Sequence, residues 1–438
     1  MKLSLRHQST GKLYPILAVA GYAMHWMAFR KIHINNRHGV PANQPVLLAA
    51  NHPSAAMEPF LLTIYLDPPI YNMTRGDIFS KPLIRKFLES INMFPVFRKR
   101  DGYNEKDRND GVFEFCIDKL GQGRVVTIYV EGEHKLVKRV RTVQKGIARI
   151  AFAAYERQRN ENLQIIPAGC NYAFGDRMRD EAFMNIGQPI FIRDYWTDFQ
   201  NDPNGTLLRL CRDIELALKK VCYHVENPAD DLLAEHLLTL FRSDHPQPIW
   251  PFTVYDGNRF EAEKAVLDSL NALPADQKEQ LNKETKHYFA ALKSAGIEDE
   301  GLKNPQWASA WWLRFLVIGA LPAFLGWLGN LPISIPADWV SKKKVKKREF
   351  KMTVQIGLGY FLGWIYYPLL FIAAIISLRA WFIGAVLLLP LLGWFSWFYR
   401  DVLKRWQMAA KAKNSTSKAN LLKDRAVVVE KFFQKQPD

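Results

Sequence analysis

The sequence predicts an α/β fold, with a mixed, mostly parallel sheet covered by helices, then a helical insertion and a C-terminal transmembrane helical hairpin. Between residues 46 and 172, short β-branched runs alternate with helical stretches, which is typical of a covered parallel sheet. Beyond residue 311, long apolar segments appear that can cross a bilayer. We therefore expect an N-terminal apolar helix and linker at 1–44, an α/β domain at 45–199, a helical region at 200–310 and a membrane region at 311–438.

Composition and net charge limit the class of protein and the kinds of partner that fit this chain. Its 438 residues are 48% apolar, which excludes a disordered or collagen-like chain and leaves room for two or three domains. Lys and Arg number 59 against 43 for Asp and Glu, and the net charge of +16 indicates an anionic partner: nucleic acid, lipid headgroups or a phosphate-bearing substrate. The 13 tryptophans lie largely near apolar runs and favour lipid. The four cysteines lack C-x-x-C spacing, so we expect reduced thiols.

The N-terminal apolar run from Leu13 to Phe29 is interrupted only by His25 and followed by Arg30 and Lys31. At about 17 residues it lies at the lower limit for a membrane span. We expect an uncleaved helix in the membrane interface with basic flanks on anionic lipid. The alternative is a helix packed on the domain that follows.

The α/β domain contains four strand candidates and an edge strand or turn at 185–190. The strand candidates are Val46–Ala49, Ile70–Thr74, Val125–Val130 and Ile165–Ala168. The region after residue 200 lacks strand patterns and favours amphipathic helices. Three of these are predicted at Leu207–Val221, Ala229–Phe241 and Asn258–Leu273.

The membrane region predicts two transmembrane helices, at about 354–377 and 381–399, joined by a short link. The segment 315–335 contains Pro322, Gly326, Gly329 and Pro332, which favour a broken, re-entrant apolar element. The basic run at 342–348 precedes the hairpin and a basic tail follows it, so both flanks are expected to be cytoplasmic. This predicts a cytoplasmic (inner) membrane protein whose α/β domain faces the cytosol.

The string from Asn51 to Pro59 directly follows the first predicted strand and contains His52 and Glu58. A histidine at a strand-to-helix turn can act as a general base whose second ring nitrogen is held by a carboxylate. Positions six apart do not share a helix face, so the pair can meet only if His52 precedes the helix, with Pro53 at its first position. The alternative is a capping Asn51 beside an incidental histidine.

This string resembles the first block, Asn-His-x4-Asp, of the glycerolipid acyltransferase superfamily that includes lysophosphatidic acid acyltransferase. Three further blocks follow in the family's order, so the resemblance covers roughly residues 45 to 190. They are Asn92–Arg98, Thr127–Gly132 with the later Lys145–Gly146, and Leu163–Ala168. The chain departs from the pattern by one extra residue before Glu58, by Glu in place of Asp, and by Val130 in place of the usual proline.

The resemblance implies attack of a substrate hydroxyl on an acyl thioester, with acyl-CoA or acyl carrier protein as donor and no other cofactor. His52 would take the hydroxyl proton and Glu58 would orient the imidazole. Arg98 would bind a phosphate group, with Arg75 and Arg100 as alternatives. The implied acceptor is a lysophospholipid or glycerol phosphate, most simply lysophosphatidic acid, which would become phosphatidic acid.

Glu131 and Gly132 follow a buried strand, where glycine permits close backbone approach and Glu131 could bind the glycerol hydroxyl. The alternative for Glu131 is a structural pair with Arg139 or Arg141. The histidines lack metal-ligand spacing, so we expect no metal site, and the basic run at 342–348 favours membrane charge over nucleic acid.

Two other functions stay open at this stage. One is acylation of a non-phosphate lyso-lipid such as an aminolipid. The other is a catalytically inactive, membrane-anchored lipid-binding protein, suggested by the departures at Glu58 and Val130.

Overall fold

The computed structural model describes residues 13–54, 57–96 and 105–433. The chain divides into two compact units. The first contains residues 1–223, 252–258 and 348–353, and the second contains 224–251, 259–347 and 354–438. The first unit is therefore built from three separate stretches of sequence.

The first unit contains a nine-stranded sheet. Its strands are β1 (Phe29–Asn35), β2 (Val46–Ala50), β3 (Ile70–Arg75), β4 (Met93–Val96), β5 (Val125–Tyr129), β6 (Gln164–Tyr172), β7 (Asp180–Ile186), β8 (Ile190–Phe191) and β9 (Thr253–Tyr255). The order is β4-β3-β5-β2-β6-β7-β1-β9, and β8 also pairs with β6. Pairing is antiparallel where β6 meets β7 and β8, and parallel in the other pairs. The predicted mixed, mostly parallel sheet is confirmed.

The described residues of this unit form seven α-helices. They are α1 (Leu13–Ala28), α2 (Met57–Tyr65), α3 (Pro82–Ser90), α4 (Glu105–Gly121), α5 (Gly146–Gln158), α6 (Arg193–Asn201) and α7 (Pro203–Val221). All residues of β2 and β6 are buried, as expected for central strands covered on both faces. Residues from the sheet and from α4, α5 and α7 share one apolar core, for example Leu47, Ile165, Cys116, Ile147 and Ile214.

Residues 29–35, predicted as part of a linker, form β1 between β7 and β9. β7 covers Asp180–Ile186, earlier than the predicted edge segment, and β9 comes from the region predicted as helical. Charged residues interrupt the apolar pattern of β7, so hydropathy does not predict this strand. Asp180 accepts hydrogen bonds from the backbone of Phe174 and Gly175, and Glu181 pairs with Arg30, so both carboxylates are buried without loss of partners.

The second unit is helical among its described residues apart from short turns. Its helices are α8 (Asp231–Asp244), α9 (Arg259–Ala272), α10 (Ala275–Ala295), α11 (Asp299–Lys303), α12 (Ala310–Gly329), α13 (Leu331–Lys343), α14 (Arg348–Ile376), α15 (Ala380–Lys413) and α16 (Lys418–Phe432). The first six residues of α14 are counted with the first unit. Arg425 of α16 is buried against Asp299 and Asp244, which joins three helices of this unit through charge.

Three described helices, α12, α14 and α15, are long and apolar enough to cross a membrane, judged by length and composition. α14 and α15 contain the two predicted spans. Within 315–335, where we expected a broken apolar element, α12 continues through Pro322 to Gly329. The break falls at Asn330, whose side-chain amide donates to the carbonyl of Gly326 at 2.8 Å and so satisfies an end of the helix.

α1 packs one face on the first unit, as the alternative for this segment proposed. His25 is fully buried and stacks on Tyr65 with ring centroids 5.8 Å apart. Neither ring nitrogen of His25 has a hydrogen-bond partner, and burial lowers its pKa from 6.5 to about 3. Val19 and Met27 are exposed on this helix, and contact of that face with lipid stays a prediction.

We predict that His25 weakens the fold in acid. Burial keeps the His25 ring neutral in the folded state. Below pH 6.5 the unfolded chain binds a proton at His25 and the folded chain does not. The free energy of unfolding therefore falls as the pH drops towards 3. At pH 5 the cost reaches about 2 kcal/mol, from about 1.4 kcal/mol per pH unit. His25→Phe should therefore retain more of its pH 7.5 thermal stability at pH 5 than the wild type does, measured by unfolding in detergent.

His38→Gln is the control, because the His38 ring is exposed and carries no comparable burial cost. Equal acid sensitivity of wild type and His25→Phe would contradict this account of His25.

Candidate active site

The candidate site lies where β2, β3 and β5 end. His52 follows β2, Glu131 follows β5, and Arg75 is the last residue of β3. These strands are parallel neighbours in the sheet, so their carboxyl ends share one edge, the usual place for a ligand site in such sheets. Arg98 and Arg100 lie outside the described residues.

His52 and Glu58 contact each other: Nδ1 of His52 lies 2.8 Å from Oε2 of Glu58. The other carboxylate oxygen, Oε1, accepts the backbone N–H of Ser54 at 2.9 Å. The Glu58 side chain is 0% exposed, against 15% for His52. Glu58 also lies in the first turn of α2, where the helix dipole favours a negative charge.

The local backbone differs from the expected one. We predicted Pro53 at the first helical position, but α2 begins at Met57. His52 and Ser54 precede this helix, and the Ser54 N–H faces the Glu58 carboxylate. The longer glutamate side chain thus reaches the imidazole from inside the helix.

Asn51 does not cap a helix, which contradicts the alternative for this string. Its side-chain amide donates to the carbonyl of Cys170 at 2.9 Å, and its side-chain oxygen accepts the Cys170 N–H at 2.7 Å. This reciprocal pair ties the turn after β2 to β6. The backbone N–H of His52 is held on the other side by Oε2 of Glu131, at 3.2 Å.

Glu131 binds several groups at once. Besides the His52 N–H, it accepts the Arg141 backbone N–H at 3.0 Å and Nε of Arg141 at 3.1 Å. The structural pairing with Arg141 that was the alternative for Glu131 is therefore present, and its side chain is only 3% exposed. Gly132 follows with φ +72°, a left-handed conformation that glycine adopts without strain. Glu131 thus fixes the backbone of His52 rather than standing free in a cleft.

Two aromatic rings contact His52 and a third contacts one of these two, and sequence reasoning assigned a role to none of them. The ring of Tyr129 stacks on His52 with centroids 4.3 Å apart. The ring of His134 meets His52 edge-on at 5.6 Å, and Phe350, in the first turn of α14, meets His134 edge-on at 4.6 Å. Tyr129 and His134 flank the third block and could have been found from it. Phe350 carries no sequence signal, because its link to His52 is purely spatial.

The same turn of α14 makes a polar contact with the first unit. Nε of Arg348 donates to Oδ2 of Asp176 at 2.9 Å, and its NH2 group donates to the same oxygen at 2.7 Å. The ring contact of Phe350 and this ion pair therefore hold the beginning of α14 against two segments, the one that carries His134 and the one that carries Asp176.

Other ionisable side chains lie buried near the Glu58 carboxylate, and they stay neutral. Burial raises the pKa of Tyr129 and of Tyr172 well above 10.0, and the nearby Glu58 carboxylate raises both further. Burial, followed by the same carboxylate, also raises the pKa of Cys170. All three groups stay neutral at ordinary pH, which leaves His52 as the side chain that can share a charge with Glu58.

This arrangement can perform general base catalysis. A carboxylate on Nδ1 holds the proton there, so that Nε2 is the nitrogen that can accept a proton from a substrate. Since the carboxylate is buried, it stabilises the imidazolium that forms. Within the described ranges 13–54, 57–96 and 105–433, no group of three His, Cys, Asp or Glu residues is placed to hold a metal ion.

Comparisons with known proteins give three matches. A family model described as Acyltransferase matches residues 31–171, which include His52, Glu58 and Glu131. Glycerol-3-phosphate O-acyltransferase 2 of Saccharomyces cerevisiae is 26% identical over 129 residues, which are 29% of this chain and only 17% of the yeast protein. The crystal structure of the 1-acyl-sn-glycerophosphate (LPA) acyltransferase PlsC from Thermotoga maritima is similar over 48% of this chain and 78% of that chain, with 14% identity and a TM-score of 0.36.

We predict that Glu131→Gln strongly destabilises the first unit. Glutamine lacks the negative charge that pairs with Arg141. Its side-chain NH2 group would also face the backbone N–H of either His52 or Arg141, and a donor cannot accept that hydrogen bond. Breaking a largely buried pair costs on the order of 3 kcal/mol. Thermal or denaturant unfolding of the detergent-solubilised protein measures the change.

Glu114→Gln is the matched control, because Glu114 pairs with Arg157 at a site where both side chains are exposed. We expect less than about 1 kcal/mol for that change. Equal effects of the two substitutions would contradict a structural role for Glu131.

Proposed function

We propose, from the match of residues 31–171 to a family model described as Acyltransferase, that this chain is a membrane-bound O-acyltransferase. It transfers a fatty acyl group from a thioester to a hydroxyl of a lysophospholipid or of glycerol phosphate. The observation that carries the proposal is the contact between Nδ1 of His52 and the buried carboxylate of Glu58. An inactive lipid-binding protein would have no need of this buried charge beside a partly exposed imidazole.

The reaction follows from these two side chains. Nε2 of His52 takes the proton of the acceptor hydroxyl while its oxygen forms a bond to the thioester carbonyl carbon. The carbon–sulfur bond then breaks, and the leaving thiolate receives the proton from the imidazolium. Glu58 holds the ring in the required tautomer throughout.

Transfer is direct, without an acyl-enzyme. The thiol nearest the pair, Cys170, is fully buried in β6 and its pKa is raised, so it is not a usable nucleophile. The other cysteines, Cys116, Cys211 and Cys222, are buried too. A general base contributes on the order of 10²–10⁴ in rate, and alignment of the two substrates must supply much of the rest.

We propose lysophosphatidic acid as the simplest acceptor, with phosphatidic acid as product, and acyl-CoA or acyl carrier protein as donor. The yeast relative is named for glycerol 3-phosphate and the Thermotoga protein for lysophosphatidic acid, so both acceptors belong in the assay. Arg98 keeps its proposed role towards the phosphate, with Arg75 and Arg100 as alternatives. Arg98→Gln should matter less if the true acceptor carries no phosphate.

We infer that both ends of the segment 224–347 lie on one side of the membrane, because Tyr223 and Arg348 belong to the same compact unit. α13 has 13 residues, about 20 Å of helix, and is too short to return across about 30 Å of hydrocarbon. α12 and α13 would then form a re-entrant element, and α14 and α15 the spanning hairpin. The basic run at 342–348 would put the acyltransferase domain in the cytosol, at the inner membrane.

We predict that His52→Ala lowers kcat about 10²-fold to 10⁴-fold, because the proton acceptor is lost. Glu58→Gln should lower kcat as well, since an amide cannot balance the imidazolium. The assay follows labelled acyl transfer by the purified full chain to lysophosphatidic acid and to glycerol 3-phosphate, with both thioester donors. His38→Ala, at an exposed histidine outside the site, is the control. Transfer by His52→Ala at the wild-type rate would remove the proposal.

We predict that Phe350→Ala lowers kcat with little change in KM, because His134 loses the ring that supports it beside His52. Phe350→Tyr keeps the ring edge and should restore most of the rate. Trp381→Ala, at an exposed aromatic residue of α15, is the control for removing a ring from the membrane region. Equal rates for Phe350→Ala and the wild type would show that α14 does not position the site.

A further inference from the structure

A second apolar surface of the first unit lies outside the candidate site. It consists of Leu83, Ile84 and Phe87 on α3 with Ile78 in the turn before it, and we call it the α3 surface. These four large apolar side chains are all exposed, Leu83 to 84% and Phe87 to 46%. No residue of α3 is buried.

α3 is nevertheless strongly amphipathic. At 100° per residue, Leu83, Ile84 and Phe87 fall on one side, while Arg85, Lys86 and Glu89 fall on the other. A surface helix of a soluble domain would turn such a stripe inward and bury it. Here the stripe faces outward, and an exposed apolar patch of this kind marks an interaction surface.

The charges around the stripe indicate what covers it. Lys81 precedes the helix, and Lys86 lies one position from Phe87, with both side chains exposed. Arg85 is engaged with Glu89 on the far side. Apolar side chains flanked by lysines are the composition of a helix lying in a membrane interface, where the lysine stems extend along the apolar face and their ammonium groups reach lipid phosphates.

We propose that the α3 surface docks on an anionic phospholipid bilayer, with Leu83, Ile84, Phe87 and Ile78 inserted among the acyl chains. We favour a bilayer over a protein partner because the chain also contains three described helices that are apolar enough to span a membrane. Such helices would keep the chain close to lipid. Lys81 and Lys86 add electrostatic attraction to a negatively charged lipid surface. The proposal depends on membrane association and not on acyl transfer, so the two can fail separately.

The four native cysteines are buried, so a single introduced cysteine can be labelled selectively. We would label Leu83→Cys with an environment-sensitive fluorophore in the full chain, reconstituted in vesicles of phosphatidylcholine with or without phosphatidylglycerol. Quenching by brominated acyl chains reports insertion. Arg85→Cys, on the opposite side of α3, is the matched control for label and location.

We expect quenching at position 83 to exceed that at position 85 about twofold or more in anionic vesicles, as for a helix lying in the interface plane. Lys81→Gln with Lys86→Gln should reduce the difference and its dependence on phosphatidylglycerol. Equal quenching at the two positions would overturn the proposal. So would a blue shift at position 83 that requires added acyl carrier protein, or one that vanishes when each vesicle holds a single copy, because these outcomes indicate a protein partner or a second copy.

Discussion

A carboxylate without access to water, that of Glu58, constrains the whole candidate site. A buried charge is costly unless hydrogen bonds and an opposite charge compensate it. Here the Ser54 N–H binds one oxygen and the His52 ring the other. The surrounding Tyr129, Tyr172 and Cys170 cannot share the charge, because their pKa values are raised. The need to stabilise the Glu58 carboxylate therefore determines the position of the His52 ring.

A second constraint fixes the backbone of His52. Asn51 binds β6 on one side and Glu131 receives the His52 N–H on the other, so the turn after β2 is held between its two neighbouring strands. Glu131 is itself held by Arg141. The third sequence block thus serves the first by orienting its backbone.

Much of this was predictable from sequence because it depends on local pattern. β2, β5 and β6 are continuous apolar runs, and the histidine and carboxylate follow a strand at short spacing. β1, β7 and β9 escaped prediction. In β7, Asp180 is buried against backbone N–H groups of the preceding turn, and Glu181 against Arg30, which is distant in sequence. The sequence indicated a broken element in 315–335 but not the position of the break, which a side-chain hydrogen bond of Asn330 marks. Phe350 could not be found, since only the fold brings it to His134.

The three-part make-up of the first unit has a consequence for biosynthesis. Its sheet needs β9, from residues 253–255, and the ring next to His134 comes from residue 350. A ribosome that has released only the first 223 residues has therefore not yet supplied an edge strand or the beginning of α14. Domains usually fold as their chain emerges, but the first unit is complete only after residues 348–353 have been translated. Completion of this unit therefore coincides with synthesis of the beginning of α14, a helix apolar enough to cross a membrane.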